Sequence, residues 1–93
     1  MDTKINTEVR RVAERIQAER QKKHMSQMDL ALEAGISQGF LAMIEANRKV
    51  PTIATIFKLA KALDIRPAQL FEDNTPDREK AKKQIISLIQ KNL

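Results

Sequence analysis

Apolar positions recur along this chain with the spacing of α-helices. In the first segment Val9, Val12 and Ile16 follow that spacing and predict a helix over about residues 7–23. No stretch alternates apolar and polar residues as a half-buried strand does, and Gly35 and the three prolines fall at segment boundaries. The pattern therefore predicts an all-α protein.

Capping signals divide the rest of the chain into short helices. Ser26, Ser37 and Thr52 are residue types that cap helix N-termini, whereas Gly35 and Asn47 tolerate the left-handed conformation that ends helices. The predicted helices after the first cover residues 27–34, 38–45, 53–63, 67–71 and 75–92. We expect a compact five-helix domain in residues 1–73 and a C-terminal helix in residues 74–93.

The faces of two of these helices can be assigned from spacing. In the fourth helix we expect a shared buried face, formed by Ile53, Ile56, Phe57, Ala60 and Leu63. In the third helix Leu41 and Ile44 define the core side, whereas Gly39 and Met43 lie opposite. A helix face that meets only water usually carries charges, so this uncharged face is expected to contact another molecule.

Gly39 lies on that outward face. Glycine within a helix lowers the stability of the helix by about 1 kcal/mol relative to alanine. A loss of this size is plausible where a ligand must approach the backbone closely. The alternative is that Gly39 fits against another helix of the same domain.

Composition excludes several functional classes. The 93 residues include no cysteine and one histidine, so no disulfide or cysteine–histidine metal site is expected, and we expect no cofactor. No nucleophile–base pair or phosphate-binding loop can be assembled, which argues against an enzyme. No apolar stretch approaches membrane-spanning length and no export signal is visible, so we expect a cytoplasmic protein without membrane contact. The net charge of +5 comes from the two ends and fits either DNA binding or solvated helix faces.

The second and third helices, joined by a turn at Gly35, have the layout of a helix-turn-helix. The stretches "SQMDLALEAGISQGFLAMIEANRKVPT", residues 26–52, and "IFKLAKALDIRPAQLF", residues 56–71, resemble the Cro and lambda-repressor-type proteins known as the Xre family. The resemblance implies a lambda-repressor-like fold with the third helix in the DNA major groove. It also implies a sequence-specific transcriptional regulator, similar to phage repressors and restriction–modification controller proteins.

The resemblance implies two sets of DNA-contacting residues. The base-contacting set is Ser37, Gln38, Gly39, Phe40 and Met43, and the phosphate-contacting set is Gln27, Asn47, Arg48, Lys49 and Thr52. Gln38 has the groups to pair with adenine. Met43 occupies a position that is often polar in the family, so readout is expected to depend on Gln38, methyl contacts and DNA shape.

Arg20 lies near the centre of the apolar stripe of the first helix, where an unpaired charge would be costly. The resemblance implies a structural ion pair between Arg20 and Glu45, which we expect to be close and mostly buried. His24 and Asp64 stand where family members often carry glycine, so these two helix ends are expected to be strained.

The predicted last helix has an apolar stripe that is wider than docking on a small domain requires. We therefore expect a homodimer on a palindromic operator, with dimerisation residues Ile65, Leu70, Phe71, Ile85, Ile86, Leu88, Ile89 and Leu93. The alternative is that this stripe packs on its own chain. Two rival functions stay open: an antitoxin that binds a toxin or other regulatory protein, and an adaptor that has lost DNA binding.

Overall fold

The computed structural model describes the backbone of residues 3–72 and the side chains of residues 7–72. This part of the chain contains four α-helices, namely α1 (Thr3–Lys22), α2 (Gln27–Ala34), α3 (Gln38–Glu45) and α4 (Ile53–Ala62), and then a 3-10 helix, Pro67–Phe71. No strand occurs between residues 3 and 72. The predicted C-terminal helix and its residues Ile85, Ile86, Leu88, Ile89 and Leu93 lie outside the described residues.

The helices begin where the capping signals predict. Ser26, Ser37 and Thr52 each accept a hydrogen bond of 3.0–3.1 Å from the backbone amide three residues further along the chain. The fifth predicted helix is a 3-10 helix rather than an α-helix. Its five residues are too few for the cooperative propagation that stabilises α-helices.

Three helices end in a left-handed residue other than glycine. His24, Asn47 and Asp64 have φ angles of 56°, 60° and 55°, as the sequence predicted for Asn47, and Gly35 has 72°. After each of the four, the next amide donates to a carbonyl five residues back, in the pairs Met25–Arg20, Ile36–Ala31, Arg48–Met43 and Ile65–Ala60, at 2.9–3.1 Å. This pattern turns the chain sharply, so each helix is followed closely by the next element.

All five elements contribute to one buried core. Its apolar members are Val12, Ala13, Ile16, Leu30, Ala31, Ala34, Leu41, Ile44, Ile56, Leu59, Ala60, Leu63 and Leu70. Leu70 is only 1% exposed, so its side chain does not reach the surface where the sequence suggested a role in dimerisation. It instead anchors the 3-10 helix in the core. Ile65 is half-buried and packs against the same core, whereas Phe71 is exposed.

The expected buried face of α4 is only partly correct. Ile56, Ala60 and Leu63 are buried, but Ile53 and Phe57 are 76% and 57% exposed. The apolar stripe of α4 is wider than the surface that α2 and the 3-10 helix cover, and these two residues lie at its uncovered edge.

The described part of the chain contains neither a membrane-spanning helix nor a cluster of metal-binding side chains. Between residues 3 and 72 no helix has the length and apolar character needed to cross a bilayer. In the same range the acidic and histidine side chains form no cluster of three or more that would hold a metal ion.

The first turn of α2 generates a pH-dependent prediction. Asp29 accepts a hydrogen bond from the Ser26 amide at 3.0 Å, while the Ser26 hydroxyl accepts one from the Asp29 amide at 3.0 Å. The backbone and then the side-chain hydrogen bond with Ser26 lower the pKa of Asp29 from its ordinary value of 3.8. The resulting stabilisation is complete above pH 3.8 and is lost as the pH falls through the lowered pKa.

We therefore expect Asp29→Asn to lower the free energy of unfolding near neutral pH. The difference from the wild type should shrink in acid, because the wild-type carboxylate then becomes neutral as well. Urea unfolding over a pH series measures this difference, with Glu33→Gln on the same helix as the control. A difference that stays constant throughout the acid range would contradict the prediction.

Candidate nucleic-acid interface

The surface of α3 is determined by how the helix is buried. Leu41 and Ile44 are 0% and 1% exposed, so they fix the side of α3 that faces the core. Gln38, Gly39 and Met43 are exposed on the surface, as the sequence predicted. The short turn at Gly35 and the packing of α2 against α3 give the two helices the layout of a helix-turn-helix.

Gly39 is not required by packing within the domain. A Cβ atom built on Gly39 would have no neighbour within 4 Å. This removes the alternative that Gly39 fits against another helix among the described residues. The backbone is thus open at the first turn of α3, where a groove-binding helix comes closest to base edges.

An ion pair between α1 and the end of α3 fixes the position of this surface. The Arg20 Nε and Nη2 atoms donate to the two Glu45 carboxylate oxygens at 2.9 and 3.0 Å. The side chains are 11% and 3% exposed, which confirms the expected close and mostly buried contact. Arg20 Nη1 also donates to the Met25 carbonyl at 2.8 Å, so the guanidinium group ties α1, the α1–α2 connection and α3 together.

The same carboxylate begins a series of hydrogen bonds that reaches the surface of α3. Gln27 Nε2 donates to Glu45 Oε1 at 3.3 Å, and Gln38 Nε2 donates to Gln27 Oε1 at 3.0 Å. Because a carboxylate only accepts hydrogen bonds, Glu45 requires the amide nitrogen of Gln27 to point towards it. The oxygen of Gln27 then points to Gln38, so the charge pair determines which end of each amide faces which partner.

This series leaves Gln38 with a defined set of free groups. One amide N–H bonds to Gln27, while the second N–H and the side-chain oxygen are available on the exposed surface. One donor beside one acceptor is the arrangement that matches N7 and N6 of adenine in the major groove. Sequence reasoning missed this contact, because Gln27 and Gln38 are eleven residues apart on different helices and no local pattern links them.

The loop after α3 carries the cations of the predicted phosphate-contacting set. The backbone amides of Arg48 and Lys49 both donate to the Met43 carbonyl, at 2.9 and 3.3 Å, so the loop is held close to the end of α3. Both side chains are exposed. Among the described side chains neither forms a salt bridge. Asn47 is exposed beside them, so this loop presents free cationic groups next to the surface of α3.

Other residues of the predicted sets have structural tasks as well. The hydroxyl groups of Ser37 and Thr52 cap α3 and α4, although both residues are exposed. Phe40 is half-buried and packs against the core, so less of its ring is free for a base than that of a fully exposed residue. Gln27 is half-buried, with its amide engaged on both sides.

A second buried carboxylate lies on α1, away from the predicted site residues. Glu19 is 4% exposed, and its carboxylate accepts from Arg15 at 3.0 Å and from Lys22 at 3.3 Å. Arg15 lies four residues before Glu19, and Lys22 lies three residues after it. Residues at these spacings are neighbours on one helix face, so both contacts could have been predicted from sequence.

Comparison with known proteins gives a consistent result. A family model described as HTH_3, helix-turn-helix, matches residues 16–70. The HTH-type transcriptional regulator y4dJ of Sinorhizobium fredii is 34% identical over 59 residues, covering 61% of this chain and 77% of that protein. The immunity repressor protein of Bacillus phage phi105 is 34% identical over 68 residues, covering 73% of this chain but 47% of the repressor.

One similar solved structure covers more than two thirds of this chain. The restriction–modification controller protein C.AhdI from Aeromonas hydrophila has a TM-score of 0.68 and 31% sequence identity. The match covers 70% of this chain and 98% of the controller protein.

From the buried ion pair we expect single and double substitutions to differ in their effect on the free energy of unfolding. Arg20→Met leaves the Glu45 carboxylate buried without its cation, and we expect it to lower the free energy of unfolding by about 3–5 kcal/mol. Arg20→Met combined with Glu45→Leu should cost less than the single change, because no charge is then left unpaired. Chemical unfolding of the three proteins measures both differences.

Arg11→Met is the matched control. It breaks an exposed pair, in which Arg11 and Glu8 side chains are 51% and 60% exposed, and should cost no more than about 1 kcal/mol. If Arg20→Met and Arg11→Met lower the free energy of unfolding equally, burial does not make the Arg20 pair more costly to break than the exposed Arg11 pair.

Proposed function

The chain belongs to the helix-turn-helix family HTH_3, whose Xre-type members are DNA-binding transcription regulators, and from this premise we propose that it reads a specific operator sequence as a homodimer. The proposed operator is an inverted repeat with one half-site for each copy. In this assembly α3 lies in the major groove, and the loop after α3 binds the phosphate backbone.

The observation that carries the proposal is the oriented amide of Gln38. Its free donor and acceptor lie on an exposed helix surface, held by Gln27 and, through it, by the Arg20–Glu45 pair. A side chain that only met water would gain little from such preorganisation. Base recognition gains from it, because fewer rotamers have to be fixed when DNA binds.

The other residues of α3 support the same assignment. Gly39 leaves the backbone open to close approach, and Met43, at 40% exposure, offers an apolar group for a thymine methyl. Since Met43 supplies no hydrogen bond for base recognition, the proposed readout depends on Gln38, apolar contacts and the shape of the DNA.

The basic loop supplies affinity that does not depend on sequence. Arg48 and Lys49 are exposed and form no salt bridge among the described residues. Their cationic groups are therefore available to bind the phosphate groups of DNA. With Gln27, Asn47 and Thr52 they form the proposed phosphate-contacting set. The proposed location is the cytoplasm, where a bacterial regulator meets its DNA.

The central experiment is selection of binding sites from a random duplex library with the purified full chain. We expect an inverted repeat whose half-sites are about ten base pairs apart, one turn of DNA. A library that returns no motif, together with weak binding that salt abolishes, would overturn the proposal. That outcome would favour the alternative of an antitoxin whose main partner is a protein.

Gln38→Ala tests the proposed base contact. We expect it to relax the base preference at one position of each half-site, with a loss of discrimination of about 1–3 kcal/mol. The measurement is affinity for operators that carry each of the four bases at that position. Leu32→Ala is the control, because Leu32 is 81% exposed on α2 and lies outside both predicted DNA-contacting sets, so its substitution should leave the base preference unchanged. An unchanged base preference in Gln38→Ala would contradict the assignment.

Arg48→Ala tests the proposed phosphate contact. Binding to all sequences should weaken alike, and the slope of log affinity against log salt should fall by about 1, because one fewer counterion is released. Lys61→Ala, an exposed cation near the end of α4, is the charge-matched control and should leave the slope unchanged. A selective loss of binding to the preferred sequence in Arg48→Ala would instead indicate a base contact.

A further inference from the structure

Methionine is the only residue type in this chain that contains sulfur. The sequence has no cysteine, tryptophan or tyrosine, so its four methionine thioethers are the side chains that a peroxide oxidises most readily. Met1 lies outside the residues whose side chains are described, and Met25 is half-buried and packs against the core. Met28 and Met43 are 66% and 40% exposed, so among the described methionines these two are open to a dissolved oxidant.

The two exposed methionines lie on different surfaces. Met28 is on α2, outside both predicted DNA-contacting sets, whereas Met43 is on the outward face of α3 and belongs to the predicted base-contacting set. The amides of Arg48 and Lys49 donate to the Met43 carbonyl at 2.9 and 3.3 Å and so hold its backbone in place. A chemically altered side chain at position 43 therefore stays on the surface that is proposed to enter the groove.

We propose that Met43 is a reversible oxidation site through which a hydroperoxide weakens operator binding. The inference rests on the proposed function, because the consequence of oxidation is a change in DNA recognition. A lone pair of the Met43 sulfur attacks one peroxide oxygen, the O–O bond breaks and an S=O bond forms. The hydroperoxide proton moves to the leaving oxygen, which departs as water or an alcohol. The sulfur loses two electrons and the peroxide gains them.

Oxidation changes the polarity of the side chain at the proposed contact with a base. The Met43 thioether is an apolar partner for a thymine methyl, whereas a sulfoxide oxygen is a hydrogen-bond acceptor. The major-groove edge of thymine presents a methyl group and an acceptor of its own, so it has no donor for the sulfoxide. Because a polar group buried without a partner costs free energy, the oxidised protein should bind this operator more weakly.

The fold itself does not depend on the reduced form of Met43. Its side chain belongs neither to the buried core nor to the half-buried side chains that pack against the core. Met25 differs, because a sulfoxide there would place a polar oxygen against apolar side chains. Half-burial protects Met25, so a limited dose of oxidant modifies Met43 first.

The first test measures the operator affinity of the full chain before and after limited treatment with hydrogen peroxide. Mass spectrometry of peptides sets the dose at which Met43 is converted and Met25 is not, and circular dichroism establishes that the protein remains folded. We expect the wild type to lose about tenfold or more in affinity for the operator selected with untreated protein. Methionine sulfoxide reductases with a dithiol should restore the affinity, because they return the sulfoxide to the thioether.

Two leucine substitutions assign the loss to one side chain. Met43→Leu keeps an apolar side chain of similar volume that cannot form a sulfoxide. Whatever its affinity before treatment, this variant should bind the operator equally well afterwards. Met28→Leu is the matched control, because it removes the other exposed thioether and should remain as sensitive to peroxide as the wild type.

Protection by DNA locates Met43 without any substitution. A saturating amount of operator duplex should slow the oxidation of Met43 more than that of Met28, because only Met43 belongs to the proposed base-contacting set. Peptide mass spectrometry over a time course gives both rates in one sample, so Met28 serves as an internal control.

Three outcomes would overturn the inference. If the wild type binds its operator equally well before and after conversion of Met43, the sulfoxide does not affect recognition. If Met43→Leu loses affinity on oxidation as the wild type does, another group is responsible. If the operator slows the oxidation of both methionines equally, Met43 is not at the base interface.

Affinity before oxidation separates this inference from the proposed function. If the untreated wild type binds no DNA, the proposed function fails and the inference fails with it. If the untreated protein binds its operator and one of the three contrary outcomes is found, the inference about Met43 fails alone.

Discussion

The Arg20–Glu45 pair is the contact through which α1 determines the position of α3. Its two hydrogen bonds, at 2.9 and 3.0 Å, join residues 25 positions apart in the chain. A buried ion pair is often neutral in stability, because the loss of hydration offsets the attraction. Here it has a geometric effect as well, since the guanidinium also holds the Met25 carbonyl and the carboxylate also holds Gln27. The buried charges thereby give direction to an amide group on the surface.

The sharp helix ends support this arrangement from the backbone. A left-handed conformation costs an ordinary residue roughly 1–2 kcal/mol, and such strain persists only where the surrounding structure fixes it. Asn47 adopts this conformation more readily than most residues, because its short polar side chain tolerates it, and its φ of 60° turns the chain directly after α3. The turn returns the Arg48 amide to the Met43 carbonyl. The basic loop therefore has a definite position beside the helix surface that it is proposed to assist.

Local features were predictable from sequence, and features that depend on how helices meet were not. Ser37 caps α3 through contacts within four residues, so its role is evident from residue type alone. The core-side position of Arg20 followed from helical spacing, and its pairing with Glu45 from the family resemblance. Spacing cannot say how much of an apolar stripe its neighbours will cover, which is why Ile53 was wrongly placed in the core. Nor can spacing give the crossing of α2 and α3 that brings the two glutamines together.

Under the proposed function, Gly39 sets helix stability and DNA recognition against each other. Because a methyl group there would meet nothing in the free protein, alanine would strengthen α3 by about 1 kcal/mol while narrowing the gap through which a duplex approaches. A laboratory search for heat-resistant variants, made without DNA, would therefore tend to collect alanine at this position and lose operator affinity. The open backbone of α3 is thus a feature that only selection in the presence of the ligand can maintain.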